Sequence, residues 1–206
     1  MKKHLSLLAG ILLMLAANTL SAQDKAVELF NNITKSVKSH QDIEVSFNYL
    51  KVESPGKPTE ESKGKAYFQG EAYKLLLDEM HTLSDGTTKW LYLPEENEVM
   101  IGTIDEGDQD PMKLLTGLEK EGTPKAQGTD AKGNILVALY ESSGEPMGIT
   151  LKFNKKGEIA GLEMDLGDDG SMTLDITEIK YDQGFPKGFF TFDKTAYPGV
   201  EIIDMR

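Results

Sequence analysis

The chain of 206 residues contains no cysteine and only one arginine, the C-terminal Arg206. The missing cysteine excludes disulfides, thiolate nucleophiles and thiolate metal ligands. With a single arginine the chain lacks the clustered basic side chains that contact nucleic-acid phosphates, and its formal net charge is −12. We therefore expect no nucleic-acid partner and no attraction to an anionic membrane surface.

Signatures of the common enzyme classes are also missing. The sequence has no Gly-x-Ser-x-Gly elbow, no His-Glu-x-x-His zinc motif and no phosphate-binding Gly-rich loop. Its three histidines, His4, His40 and His81, are scattered along the chain. The acidic stretches that begin at Asp105 and Asp165 lack the alternating ligands of a calcium loop. We expect no enzymatic activity, no metal and no cofactor.

The only long hydrophobic run lies at the start of the chain. Lys2 and Lys3 precede the apolar run "LSLLAGILLMLAA", and small residues follow in "NTLSAQ". This order is typical of a secretory signal peptide, and the run is shorter than the roughly 20 residues of a membrane span. We predict cleavage after Ala22 and one soluble domain over residues 23–206, whose formal charge becomes −14 once Lys2 and Lys3 are lost. Gln23 stands where a lipoprotein would carry its acylated cysteine.

Two segments have helical periodicity. The first begins near Gln23, with Asp24 as an available N-cap and an apolar face of Ala26, Leu29, Phe30, Ile33 and Val37. The second is "DQDPMKLLTGLEK", in which Asp110 can cap the helix and Pro111 suits its first turn. Its apolar surface consists of Met112, Leu114, Leu115 and Leu118.

The rest of the chain is predicted to be strands. Ile43, Val45, Phe47 and Tyr49 alternate with polar residues, as a half-buried strand requires. "SPGKPTEES" reads as a polar loop, and Asp85-Gly86 is a strong hairpin signal. Strands are expected again from "NILVALYES" to the closing "FFTFD" and "GVEIIDMR".

These elements predict one α+β domain built on a curled antiparallel sheet of about eleven strands, forming an incomplete β-barrel. A strongly curled sheet has a concave face, and two isolated amphipathic helices can bury their apolar sides there. A loose fit would leave an apolar cavity, and a tight fit would give an ordinary core. The run Trp90-Leu91-Tyr92-Leu93 is apolar on both alternating sides, so something must also cover its second face.

Six segments, which together span nearly all of residues 23–206, follow one another in a recognisable order. They are the first helix, "EVSFNYLK", "GKAYF", "LSDGTTKWLYLPEENEV", "QDPMKLL" and "FFTFDKTAYPGVEIIDMR". Their order and spacing resemble the LolA family of periplasmic lipoprotein carriers. This resemblance implies an unclosed barrel with a helical lid over an apolar cavity that receives acyl chains. It also implies a periplasmic monomer that an inner-membrane ABC lipoprotein exporter loads. This monomer delivers acylated lipoproteins to the outer membrane, with a possible acceptor there.

Applied to this chain, the resemblance predicts a cavity wall and a lid. One departure concerns the lid latch, because the family's Arg-Pro pair is replaced by Gln69-Gly70-Glu71. A relative that binds a different lipid, or senses lipoproteins, is therefore an alternative. The predicted wall consists of Val45, Phe47, Tyr49, Phe68, Leu75, Leu77, Trp90 and Tyr92, and the predicted lid of Leu29, Phe30, Ile33, Met112, Leu114, Leu115 and Leu118.

Overall fold

The structure is a computed structural model that describes residues 22–53, 57–104 and 122–206. Helix α1 includes residues 22–39, and its side chains Ala26, Leu29 and Phe30 are buried, as the helical spacing predicts. Asp24 lies inside the helix, so its predicted role as N-cap is wrong. The residues before it are already helical, and a cap must stand outside the helical backbone.

Within the described ranges, twelve strands form one sheet. Its order is β12-β6-β5-β4-β3-β2-β1-β11-β10-β9-β8-β7. Every neighbouring pair is antiparallel except β12 and β6, which are parallel. The strands are β1 (Ile43–Glu53), β2 (Lys57–Gln69), β3 (Ala72–Leu76), β4 (His81–Ser84), β5 (Thr88–Leu93), β6 (Glu98–Thr103), β7 (Thr123–Thr129), β8 (Ile135–Tyr140), β9 (Pro146–Phe153), β10 (Ile159–Asp165), β11 (Ser171–Tyr181) and β12 (Glu201–Asp204).

The predicted fold class is confirmed. The sheet is curled and does not close, because β7 and β12 remain at its two ends, and α1 packs on one face. No helix in the described ranges is long and apolar enough to span a membrane. The predicted second helix, with Met112, Leu114, Leu115 and Leu118, lies outside the described residues.

Three strand predictions were wrong. The loop predicted around "SPGKPTEES" is partly strand, because β2 already begins at Lys57. The polar segment of β7 was not predicted as a strand, although it pairs with β8. The closing "FFTFD" does not form a strand, and its side chains Phe189 and Phe192 pack on a face of the sheet instead of extending it.

Strand register divides the sheet into two faces. We call the face that carries α1 the inner face and the opposite one the outer face. Residues directly opposite each other in neighbouring strands point to the same face. Leu162 packs against the helix cluster, lies opposite Leu174, and Leu174 lies opposite Tyr49. Tyr49 and its alternating neighbours Phe47 and Val45 therefore lie on the inner face.

Candidate functional site

Helix α1 covers the part of the inner face formed by β8, β9 and β10. Leu29 and Phe30 belong to a buried cluster that Ile33 joins as a partly buried member. Burying a side chain the size of Leu or Phe contributes about 1.5–3 kcal/mol, so the contact of α1 with the sheet contributes several kcal/mol. The strands supply Val137, Leu139, Ile149, Leu151 and Phe153 to this cluster.

A second apolar region of the inner face runs across β1, β2 and β3. Phe47 lies opposite Gly64, and its ring rests where a side chain on Gly64 would stand. The Leu77 side chain reaches the same place, so these two side chains meet above the glycine. Because they share this face, we call the following residues the inner strip: Val45, Phe47, Tyr49, Phe68, Leu75 and Leu77.

The inner strip is distinct from the cluster around α1. Phe47 is buried and Val45 is partly buried, yet neither belongs to the helix cluster in the described part of the chain. The register continues the strip through Leu75, Thr82 and Leu91 to Met100. The inner face therefore carries apolar side chains well beyond the area that α1 covers.

Trp90 and Tyr92 do not lie with the other predicted wall residues. Trp90 lies opposite Leu83, and Leu83 lies opposite Lys74, so the three side chains share one face. The Lys74 Nζ atom is 4.7 Å from the centroid of the Phe189 ring on the outer face, which places Trp90 there as well. Tyr92 alternates with Leu91 and so shares the outer face. Their predicted place on the same surface as Phe47 is wrong. Every residue from Trp90 to Leu93 is apolar, so the sequence does not reveal which alternating pair of side chains points inward.

Residues 182–200, which we call the outer strap, cover the second face of β5. Tyr92 packs against Phe192 at 5.5 Å and Tyr197 at 4.5 Å between ring centroids. Its hydroxyl donates a hydrogen bond to Asn97 Oδ1 at 3.2 Å, and the Asn97 amide donates to the carbonyl of Pro198. The outer strap therefore covers the second apolar face of the Trp90–Leu93 run.

The strap is anchored where it leaves β11. The Asp42 side chain is 3% exposed, and its carboxylate accepts hydrogen bonds from the backbone N–H groups of Gln183 at 2.7 Å and Gly184 at 3.0 Å. Beyond this anchor, Phe185 and Phe189 contact the ring of Tyr67 edge-on. Sequence reasoning missed Asp42, and the only signal available was an acid directly before a strand.

Burial governs the electrostatics beneath the strap. Burial lowers the pKa of Lys74, and burial together with the charge of Lys74 lowers the pKa of His81. Burial, with a smaller effect of Tyr92, raises the pKa of the Tyr197 phenol. These pKa shifts follow from packing among aromatic rings. Separately, the described ranges contain no group of three or more His, Asp or Glu side chains able to hold a metal.

A shallow surface pocket of about 580 Å³ lies on the other half of the sheet. Glu163, Asp165 and Thr150 line it from β10 and β9, and Glu53 approaches from the end of β1. Among the described residues its lining mixes polar and apolar side chains, and it includes none of the predicted wall residues and none of Leu29, Phe30 and Ile33. It is therefore not the apolar cavity predicted from the sequence.

No protein-family model matches the sequence, and no curated protein matches it either. Among solved structures, an uncharacterized conserved protein from Thermus thermophilus is similar with a TM-score of 0.53 at 9% identity, covering 87% of this chain and 98% of that one. A LolA superfamily protein from Nitrosomonas europaea has a TM-score of 0.38 at 11% identity, covering 85% and 98%. The lipoprotein LppX from Mycobacterium tuberculosis has a TM-score of 0.43 at 14% identity, covering 82% and 98%. At these identities the likeness concerns the fold alone, and the fold of this chain is a curled, unclosed sheet with a helix on its inner face.

Proposed function

We propose that this chain is an exported LolA-like carrier that binds the acyl chains of lipoproteins on its inner face. It would shuttle them through the periplasm from the inner to the outer membrane. The inner strip carries this proposal, because it is a continuous apolar surface inside an unclosed sheet and lies apart from the cluster around α1. The sequence resemblance to the LolA family supports the same assignment.

Burial energies explain why such a carrier is needed. Each methylene removed from water contributes about 0.8 kcal/mol, so one sixteen-carbon chain gains on the order of 12 kcal/mol. An acylated lipoprotein therefore does not cross an aqueous compartment unaided at a useful rate. A protein that offers a comparable apolar surface inside a fold of its own removes that cost and can later give the chain up to another acceptor.

The proposed route has three further parts. An inner-membrane ABC exporter loads the protein, a possible outer-membrane acceptor receives the cargo, and residues 1–22 direct export and are removed. Intact-mass analysis of the exported protein tests the last part, since a species that retains the Met1–Ala22 segment contradicts it.

A periplasmic lipid-binding or lipoprotein-sensing protein is the second candidate function. Gln69-Gly70-Glu71 favours it. Gln69 ends β2, Gly70 and Glu71 form the exposed turn to β3, and none of the three provides a guanidinium to latch a lid. A carrier delivers its lipoprotein from loaded protein to acceptor vesicles, whereas a sensor retains its ligand in the same assay.

Phe47→Glu tests the site. The substitution places a carboxylate in the inner strip, and an unpaired buried charge costs several kcal/mol. We expect at least a tenfold loss of binding of a palmitoylated peptide, and loss of lipoprotein uptake from inner-membrane vesicles. The matched control is Asn48→Glu, which adds the same charge on the same strand at an exposed outer-face position.

Phe47 is 5% exposed, so the variant could also disturb folding. Leu75→Glu at a partly buried position of the same strip provides a second measurement. Normal uptake by either folded variant would contradict the inner strip as the acyl site. Equal losses in the strip variants and in Asn48→Glu would show a general effect of charge instead.

A further inference from the structure

The two ends of the sheet are protected differently. At the β7 end, the Gln23 side chain occupies the outward backbone groups of the strand. Its Nε2 atom donates to the carbonyl of Pro124 at 2.8 Å, and its Oε1 atom accepts from the N–H of Ala126 at 3.1 Å. The register with β8 also shifts after Ala126. A side-chain cap and an irregularity are both ways of stopping a foreign strand from pairing with a sheet edge.

At the other end, β12 pairs with β6 through alternate residues. The N–H of Glu201 donates to the carbonyl of Asn97 at 2.9 Å, and that of Met205 donates to the carbonyl of Ile101 at 2.8 Å. In a parallel strand, residues two apart direct their backbone groups to the same neighbour. The N–H and C=O groups of Ile202 and Asp204 therefore point away from β6, and no strand in the described part of the chain lies beyond them.

The side chains of this end are apolar and exposed. Ile202 is 45% exposed, Ile203 is 37% exposed and Met205 is 64% exposed. Their positions opposite Val99 and Met100 of β6 place the two isoleucines on different faces of the sheet. An extended segment added to this edge would cover apolar surface on both faces while it satisfies the outward backbone groups.

Two acids flank the isoleucine pair. Glu201 is exposed at one end of β12 and Asp204 lies at the other. The Arg206 guanidinium holds Asp204 through contacts of 2.9 and 2.7 Å and lowers its pKa to about 2, so this carboxylate is charged at neutral pH. Arg206 therefore offsets the charge of Asp204, and Glu201 is the exposed acid at the start of this edge strand.

Net charge disfavours a second copy of the chain as the occupant. The formal net charge is −12 on each copy, so two copies repel each other. A peptide that carries basic side chains is attracted to the same surface instead.

We propose that the free edge of β12 binds an extended peptide segment whose apolar centre is flanked by Lys or Arg. The segment adds a thirteenth strand by β-augmentation, in which main-chain hydrogen bonds provide affinity and the flanking charges provide specificity. Glu201 and the net negative charge of the chain select the basic ends, and Ile202 and Ile203 contact the apolar centre. This interaction requires no acyl chain and is independent of the proposed carrier function.

The probe is the peptide acetyl-Lys-Val-Thr-Val-Lys-amide, compared with the same peptide carrying Glu at both ends. We expect the basic peptide to bind at least tenfold more tightly and Glu201→Lys to reduce that ratio. In a strand paired with β12, alternate residues of the peptide direct their N–H groups toward β12. N-methylation of those peptide residues should abolish binding, whereas N-methylation of the residues between them should be tolerated. Amide exchange at Ile202 and Asp204 should slow when the peptide is added.

Ile202→Pro removes an outward N–H group and should abolish binding, while Ile202→Ala keeps that group and should bind within a few-fold of the natural chain. Protection of the Met205 amide verifies that β12 still pairs with β6 in each variant. Peptide affinity that changes neither with the position of the N-methyl groups nor with Ile202→Pro would overturn the proposal. A concentration-dependent dimer that Ile202→Pro dissolves would also overturn it, because the edge would then take a second copy.

Discussion

At the residue scale, Gly64 decides where the Phe47 ring can lie. A Cβ atom on Gly64 would stand 2.3 Å from Phe47 Cζ and 2.9 Å from Leu77 Cδ2, distances that require both side chains to move. Gly64→Ala should therefore push the ring out of its seat and lower the free energy of unfolding by about 1–3 kcal/mol. Urea unfolding measures this loss, and the binding of a palmitoylated peptide should weaken with it, because the displaced ring occupies the inner strip.

Gly102→Ala is the matched control for this substitution. Gly102 also lies on an inner-face row of the sheet, and a Cβ atom there would meet nothing within 4 Å. Its replacement should leave stability within about 1 kcal/mol of the natural chain. If Gly64→Ala proved as stable as Gly102→Ala, the close contact of Phe47 with the β2 backbone would not exist in solution.

At the element scale, the outer strap depends on Asp42. Asp42→Ala would leave the N–H groups of Gln183 and Gly184 without their acceptor, and an unpaired buried donor costs about 1–3 kcal/mol. We expect a lower free energy of unfolding and a weaker near-ultraviolet circular dichroism signal from the strap's aromatic rings. Asp193→Ala, which removes a capping acceptor from an exposed turn of the same strap, should cost only about 0.5 kcal/mol. Equal losses in the two variants would contradict the anchoring role of Asp42.

Elements with a clear period were predictable from the sequence. In β1 and α1 the apolar residues recur on one side of the element, and the most buried side chains of each element lie on that side. The sequence pattern and the structure therefore agree. The β7 segment has no such pattern, because its strand conformation depends on pairing with β8 and on the Gln23 side chain. Local sequence does not encode those partners.

The candidate site was predictable to the same extent and for the same reason. Val45, Phe47 and Tyr49 alternate with polar residues, which places them on one face. Trp90 and Tyr92 have apolar neighbours on both sides, so either half of β5 could have pointed inward. The aromatic residues of "FFTFD" supply the missing cover, and their strong β-propensity concealed that they pack across the sheet rather than pair within it.

At the scale of the whole molecule, an unclosed sheet must protect its apolar interior and its edges by other means. Helix α1 covers one half of the inner face, the outer strap covers much of the outer face, and Gln23 caps the β7 edge. The inner strip and the β12 edge are the two apolar regions these devices leave outside their cover in the described part of the chain. Our two functional proposals therefore concern these two regions.

The acidity of the whole molecule leads to a prediction about membranes. The chain carries 34 acidic against 22 basic side chains, so an anionic bilayer should repel it at low salt, where the screening length is roughly 30 Å at 0.01 M. We expect less cosedimentation with phosphatidylglycerol vesicles than with zwitterionic vesicles at low salt. Raising the salt to about 0.15 M, where the screening length falls to roughly 8 Å, should narrow that difference. Strong binding to the anionic vesicles that salt abolishes would reveal a basic membrane-binding surface. A chain that avoids the bilayer in this assay does not load itself by inserting into an anionic membrane, which agrees with the proposed loading through contact with an exporter.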